Sequence, residues 1–389
     1  MAHQPCAVVG IGQTQHKTRR WDVSLGGLVR EAATRALEDA QMDWKDIDAV
    51  VIGKAPDLFE GVMKPELYLT DALGAAGKPM FRVHTAGSVG GTTGIVAAHH
   101  VESGRHKRVL AVAYQKQSEG NAQFALGSGR GASLGAGGAF APYMRAYIHR
   151  SGSPMDVGPM VAVKDRVNAL KNPYAHLKIE DISLEKVKAS PMLWEPVRYL
   201  ESCPSSDGAC AVVFTDEEGG RAAEKAGRQP AWILASAVRS EPSQFPGRDP
   251  VRPQGAVDCA TDVYKKAGIT NPRDQIDCAE LYVPFSWLEP MWLEAHLIAD
   301  EGAGWKMVEG GETALDGSFP VNMSGGVLSS NPIGASGLLR FSEAALQVRG
   351  MAGEHQVDGA KVALGQAYGA ANQYFSMWVV ANSLDPFGK

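Results

Sequence analysis

The chain lacks the features that would commit it to nucleic acid, a membrane or a metal. Its 389 residues carry a formal net charge of −5. A nucleic-acid-binding surface would need a basic excess. The short run Arg105-His106-Lys107-Arg108 reads as a solvated face. No apolar run approaches the ~18 residues needed to span a bilayer. The first residues, MAHQPCAVVGIGQTQ, lack the charged-then-apolar pattern of a signal peptide. Cysteine is scarce: Cys6, Cys203, Cys210, Cys259 and Cys278 are scattered, odd in number and never spaced C-x-x-C. Neither a disulfide framework nor a zinc site is indicated. The expectation is a reduced cytoplasmic protein with no metal.

What is present is an ordinary globular composition, 44% hydrophobic and 21% charged. The conspicuous stretch is FPVNMSGGVLSSNPIGASG, residues 319–337, followed by a helix-like run ending at Gly350. Small residues at a helix start leave its first N–H groups open to an anion or an oxyanion. They also suit a tight turn between packed elements.

Apolar runs mark strands at Cys6–Ile11, Ile47–Gly53, Pro79–His84, Val109–Tyr114, Asp207–Phe214, Trp232–Val238, Ile276–Tyr282 and Lys361–Tyr368. Helical spacing marks Leu25–Ala40, Gly87–Ser103 and Ala256–Ala267. The order repeats. EAATRALEDAQ leads to Ile47-Asp48, and CATDVYKKAGI leads to Ile276-Asp277. AGSVGGTTG opens one helix, and SGGVLSSNPIGASG precedes another. The repeat predicts two similar α/β halves, residues 1–229 and 230–389, with 216–229 as the junction. Residues 115–205 are too long for a connection inside a compact core and read as an inserted subdomain. Within them Gly127-Ser128-Gly129-Arg130-Gly131 fails the dinucleotide-loop spacing.

Three places carry candidate chemistry. Ala86-Gly87-Ser88-Val89-Gly90 resembles a nucleophile elbow around Ser88, although small residues packing a helix on a sheet are the favoured explanation. Tyr282 ends a strand, and Pro284 turns the chain away from the sheet. Phe285, Trp287 and Trp292 add an apolar wall. A phenol there can exchange a proton with a reacting oxygen. Its free pKa is ~10, so service as a base near neutrality needs nearby positive charge or oxyanion-stabilising donors. Tyr368 occupies the matching place after the last predicted strand, and a packed core phenol is an equal alternative.

Together AVVGIG, SSDGACAVVFTD, AELYVPF, VNMSGG and SNPIGASG resemble the thiolase superfamily, in its sterol-carrier and lipid-transfer-type branch. The resemblance covers nearly the whole chain. It implies two duplicated halves forming a layered αβαβα core, a loop domain inserted at 115–205, and a dimer. The catalytic pattern departs from the family. Gly87 stands where the family has its nucleophilic cysteine, Tyr282-Val283-Pro284-Phe285 replaces its histidine- or asparagine-led motif, and Asn331 replaces its Gly-His-Pro histidine. Tyr368-Gly369 replaces the last cysteine motif. Acyl-enzyme chemistry needs a thiolate, so thiolase activity is not expected.

The same residues resemble the steroid side-chain-cleaving acyl-CoA aldolases, which need no covalent intermediate. That resemblance implies retro-aldol cleavage of a bulky β-hydroxyacyl-CoA. The products would be acetyl-CoA or propionyl-CoA and an aldehyde or ketone. Tyr282 would be the principal acid/base, with Tyr368 and Asn331 in lesser catalytic roles. Gly87, Gly369 and Ser88 would line the thioester oxyanion site, and Phe285 and Trp287 the acyl pocket. Coenzyme A would enter only as part of the substrate, with no covalently bound cofactor. A small OB-fold, zinc-ribbon partner in a heterotetramer is also implied. In the best-matching aldolase pattern a second tyrosine falls near Asn331-Pro332, and this chain has none there. The alternatives are a cysteine-free acyltransferase or condensing enzyme and a non-catalytic acyl-CoA or lipid carrier.

Overall fold

The computed structural model describes residues 4–56, 60–120, 135–242 and 247–388. The Gly127–Gly131 segment lies outside them. Eleven strands are described: β1 Cys6–Gln13, β2 Ala49–Lys54, β3 Met80–Val83, β4 Arg108–Lys116, β5 Met192–Trp194, β6 Val197–Arg198, β7 Asp207–Asp216, β8 Ala231–Ser240, β9 Cys278–Glu280, β10 Val362–Gly369 and β11 Tyr374–Ala381. The principal helices are α1 Leu25–Ala40, α2 Val89–Glu102, α3 Gly135–Ser151, α4 Val157–Lys171, α5 Glu217–Lys225, α6 Gln254–Ala267, α7 Leu288–Ala295 and α8 Ile333–Arg349.

Nine strands form one mixed sheet in the order β3-β2-β4-β7-β1-β8-β11-β10-β9, while β5 and β6 pair separately. Read outward from the centre, the first half runs β1, β7, β4, β2, β3 and the second runs β8, β11, β10, β9. Val321 then bridges Ala279 in parallel, at the place that β3 holds in the first half. The duplication expected from the sequence is therefore a mirrored strand order, joined where β1 pairs β8 antiparallel. Helices α2 and α8 pack on each other and touch strands of both halves, whereas α1 lies on β1 and β7 and α6 lies on β8 and β11. This is the expected αβαβα layering.

Of the glycines in the conspicuous stretch, Gly337 serves the contact of the central helix pair, which Gly90 of α2 meets from the other side. A Cβ on Gly337 would fall 2.4 Å from the Gly91 nitrogen, and one on Gly90 would fall 2.5 Å from that of Leu338. Only hydrogen side chains permit this approach.

Three local differences have physical causes. Residues 216–229 hold α5 rather than a bare junction, because the Asp216 carboxylate accepts from the Gly219 N–H at 3.0 Å and Glu217 and Glu218 occupy the first turn. The strand predicted to reach Tyr282 stops at Glu280. Side chains capture the next two backbone donors, with Leu281 N–H going to Asn322 Oδ1 at 2.8 Å and Tyr282 N–H to Gln366 Oε1 at 3.0 Å. Strand β11, fully buried after Tyr374, had no counterpart in the sequence reading.

Candidate functional site

Strand β9 ends beside β10, with which it pairs in parallel. Tyr282 and Tyr368, which follow and close these strands, thus reach the same place. Their rings meet edge to face, centroids 5.4 Å apart. Trp292 packs on Tyr368 at 4.9 Å and donates its indole N–H to the Tyr282 carbonyl at 3.0 Å. Phe140 of α3 touches both Tyr368 and Phe285, each at 5.9 Å. The Tyr282 hydroxyl donates to Asn331 Oδ1 at a long 3.4 Å, and Ser336 Oγ donates to the same oxygen at 2.8 Å. Tyr282, Tyr368 and Asn331 are therefore one cluster.

Burial decides the protonation of both phenols. It pushes Tyr282 above the usual phenol range, the nearby Cys203 thiol adds to the shift, and Ser336 and Arg340 oppose it only weakly. Burial raises Tyr368 as well, with Tyr282 and Cys203 acting in the same direction. Both are neutral proton donors in the resting protein.

The sequence reading missed Cys203. It comes from the end of the 115–205 insertion, where residues 201–203 run antiparallel to 284–286: Cys203 N–H donates to the Pro284 carbonyl at 2.9 Å and Ser286 N–H to that of Glu201 at 3.0 Å. Half-buried, its Sγ accepts from Asn331 Nδ2 at 3.1 Å. Burial pushes the thiol up to about 11, against a smaller lowering by the Asn331 amide. The Asn331 backbone is held as well. Its N–H donates to Ser206 Oγ at 3.1 Å, and its carbonyl accepts from Gln117 Nε2 at 2.6 Å. Gln117, Cys203 and Ser206 flank the two ends of the insertion. Their position just after β4 and just before β7 is the signal that could have found them.

Gly87 and Gly369 are brought into direct contact. A Cβ on Gly369 would fall 2.4 Å from the Gly87 nitrogen, and one on Gly87 would fall 3.1 Å from the Tyr368 carbonyl oxygen. Ala86, just before, sits in the left-handed region at φ 52°. The Ser88 hydroxyl donates within its own turn, to Thr85 O at 2.7 Å and Thr85 Oγ1 at 2.9 Å, and its N–H also goes to Thr85 O. No contact of the described structure gives it a histidine, so the elbow reading gains nothing. Phe285 joins the aromatic wall through Phe140. Trp287 does not face the tyrosines. It is fully buried against α4, where a Cβ on Gly158 would fall 2.3 Å from its Nε1.

Among the described residues no group of three or more His, Cys, Asp or Glu is placed to hold a metal ion. No helix among them is long and apolar enough to cross a membrane.

Residues 237–382 match the family model described as thiolase C-terminal domain-like. Over 371 residues the chain is 32% identical to the acetyl-CoA acetyltransferase of Methanothermobacter thermautotrophicus, an alignment covering 92% of this chain and 94% of the relative. It is 29% identical to human sterol carrier protein 2 over 382 residues, 92% of this chain and 68% of that one. Among solved structures, the "Ltp2-ChsH2(DUF35) aldolase" superposes with a TM-score of 0.83 at 26% identity, covering 98% of both chains.

Proposed function

The chain belongs to the thiolase superfamily, in a sterol-carrier-like branch, and from that premise we propose that it is a carbon–carbon lyase cleaving a bulky, steroid side-chain β-hydroxyacyl-CoA by a retro-aldol reaction. The observation that carries this is the pair of buried phenols, Tyr282 and Tyr368, at a place where the family's nucleophile position is Gly87. Likeness to the Ltp2-ChsH2(DUF35) aldolase supports it.

The reaction moves one proton off the β-hydroxyl and one onto Cα. The small fraction of Tyr282 that has released its phenol proton to solvent takes the first as phenolate. The Cα–Cβ bond breaks, and the thioester enolate forms against backbone N–H groups at Gly87 and Gly369. The Tyr282 phenol then returns its proton to Cα, with Tyr368 as the lesser donor, and Tyr282 ends as it began. Asn331 orients the phenol through Oδ1, and Tyr368 is the lesser proton group. The wall of Phe140, Phe285 and Trp292 holds the acyl group. Coenzyme A is part of the substrate, and no bound cofactor or metal takes part.

In this reading residues 1–229 and 230–389 are the two thiolase-like halves, and the protein is cytoplasmic. It forms a homodimer. Supporting that are the sheet-edge position of β3 and the exposure of Met63, Leu67, Tyr68 and Phe81 around it. A small OB-fold, zinc-ribbon partner completes a heterotetramer, for which the two-component name of the solved neighbour is the support. The test is incubation of the protein, alone and with a co-purifying partner, with steroid β-hydroxyacyl-CoA esters. Release of acetyl-CoA or propionyl-CoA with a carbonyl product is expected, and none from either preparation rejects the reading.

One observation favours a second reading, acyl transfer: Cys203 lies at the site, a host that the sequence reading lacked. A thiol raised to about 11 is mostly protonated near neutrality and a weak nucleophile. The second reading therefore ranks below the first.

A further inference from the structure

We infer that His176, from the inserted segment, is a positioning residue for the site, acting on Asn331 through Ser206. The inference rests on the catalytic reading above only for its kinetic consequences, since the geometry stands without it.

His176 Nδ1 lies 2.8 Å from Ser206 Oγ, and its Nε2 lies 2.9 Å from Thr18 Oγ1. Its own N–H donates to Ser330 Oγ at 2.8 Å. Ser206 Oγ accepts the Asn331 N–H at 3.1 Å, and the Ser206 N–H donates to the Asn331 carbonyl at 3.3 Å. The imidazole and its backbone therefore hold both residues that flank the start of the Asn331 turn.

We assign His176 the Nε2–H tautomer, in which Ser206 accepts from Asn331 and sends its single hydroxyl proton to Nδ1 while Nε2 donates to Thr18. This tautomer is a neutral imidazole. Protonation would place a second donor at Ser206 Oγ and turn its hydroxyl proton elsewhere. The charged groups facing the ring are Arg166 of α4, which disfavours the cation, and Asp207 of β7, which favours it, while the buried His16 after β1 is a neutral titratable neighbour. Burial outweighs Asp207 and holds His176 below its ordinary value, keeping the ring neutral at pH 7. Downstream, Asn331 presents Oδ1 to Tyr282 and Nδ2 to Cys203. Loosening Ser206 thus reaches both a proton group and a thiol.

The experiment compares wild type, His176→Phe, His176→Gln and Ser206→Ala, each checked for fold by circular dichroism. Two readouts are used. The first needs no turnover: the rate of Cys203 alkylation by iodoacetamide at pH 9, located by peptide mass spectrometry. Losing the Asn331 donor disfavours the thiolate, so His176→Phe and Ser206→Ala slow alkylation by about threefold or more. Glutamine can accept from Ser206 and donate to Thr18, and it restores the wild-type rate. The second readout is kcat and KM for β-hydroxyacyl-CoA cleavage over about pH 5 to 7. His176→Phe lowers kcat about tenfold with KM little changed. Wild type loses activity on the acid side more steeply than the Tyr282 phenolate limb alone requires, as His176 protonates, and His176→Gln loses that extra step. Unchanged or faster alkylation in both His176→Phe and Ser206→Ala overturns the inference. So does an acid limb identical in wild type and His176→Gln. A wild-type protein without turnover would sink the lyase reading alone, leaving the alkylation result to decide this one. If His176→Phe fails to fold, Ser206→Ala and His176→Gln give the answer.

Discussion

The two halves of the molecule share a strand order and divide the work unequally. The first half has a true third strand, β3, leading into the Ala86-Gly87-Ser88 turn, and apart from the side chains of its 115–205 insertion and the exit at Ser206 it contributes backbone to the site. The second half reduces its third strand to one bridge at Val321 and supplies the phenols and the amide: Tyr282, Asn331 and Tyr368. Duplication provides two equivalent helix starts and two equivalent strand ends. Chemistry needs only one set of side chains, and the other set can shrink to glycine where the halves touch. The Gly87–Gly369 contact is that point of closest approach.

The sharpest way to break this comparison is Tyr282→Phe. Losing a positioned acid/base group should lower kcat about 10³-fold, or about 4 kcal/mol of barrier, in a steady-state assay of short-chain CoA release. Equal activity would return the proton chemistry to some other group. Next come the paired glycines. Gly369→Ala forces a Cβ against the Gly87 and Ser88 nitrogens, at 2.4 and 2.5 Å. It should cost about 3 kcal/mol in thermal or urea unfolding. Gly87→Ala meets its nearest atom at 3.1 Å and should cost about 1 kcal/mol. A reversed ranking would mean that the two halves do not meet as described.

Asn331→Ala should reduce kcat about thirtyfold, because Tyr282 loses its acceptor and Cys203 its donor. Tyr368→Phe should cost less, about fivefold, since its ring packing survives. The pH profile provides the finest test. Burial raises the Tyr282 phenol, so the phenolate that takes the first proton is scarce at neutrality and grows with pH. The limb of kcat/KM assigned to Tyr282 should rise up to tenfold per pH unit over about pH 7 to 9. A flat profile would restrict Tyr282 to proton donation.

Much of this was legible in the residues, for identifiable reasons. The apolar spacing of Leu25, Leu28, Val29, Ala32, Ala36 and Leu37 gave α1 its observed bounds, Leu25–Ala40. The repeat was legible because each half reuses the same element order. The early end of β9 was hidden, because the captors of its next donors, Asn322 and Gln366, lie 41 and 84 residues away. Trp287 follows Phe285 closely, but it sits at the start of α7 and points into α4, so neighbours in sequence face different places. Phe140, Cys203 and Ser206 enter the site from the insertion and its exit, which local pattern cannot place. His176 carries no local signal, because Thr18 and Ser206, which flank its ring, lie 158 and 30 residues away.

The central claim is bond cleavage without an acyl-enzyme, and one experiment reads both parts. Wild-type protein is mixed with excess steroid β-hydroxyacyl-CoA, quenched through the first turnovers, and resolved for CoA products and intact protein mass. Acetyl-CoA or propionyl-CoA should accumulate beyond one equivalent while the protein keeps its unmodified mass. Acyl mass on the protein, mapped to Cys203 and formed and lost at the turnover rate, would contradict the account and restore thiolase-type chemistry.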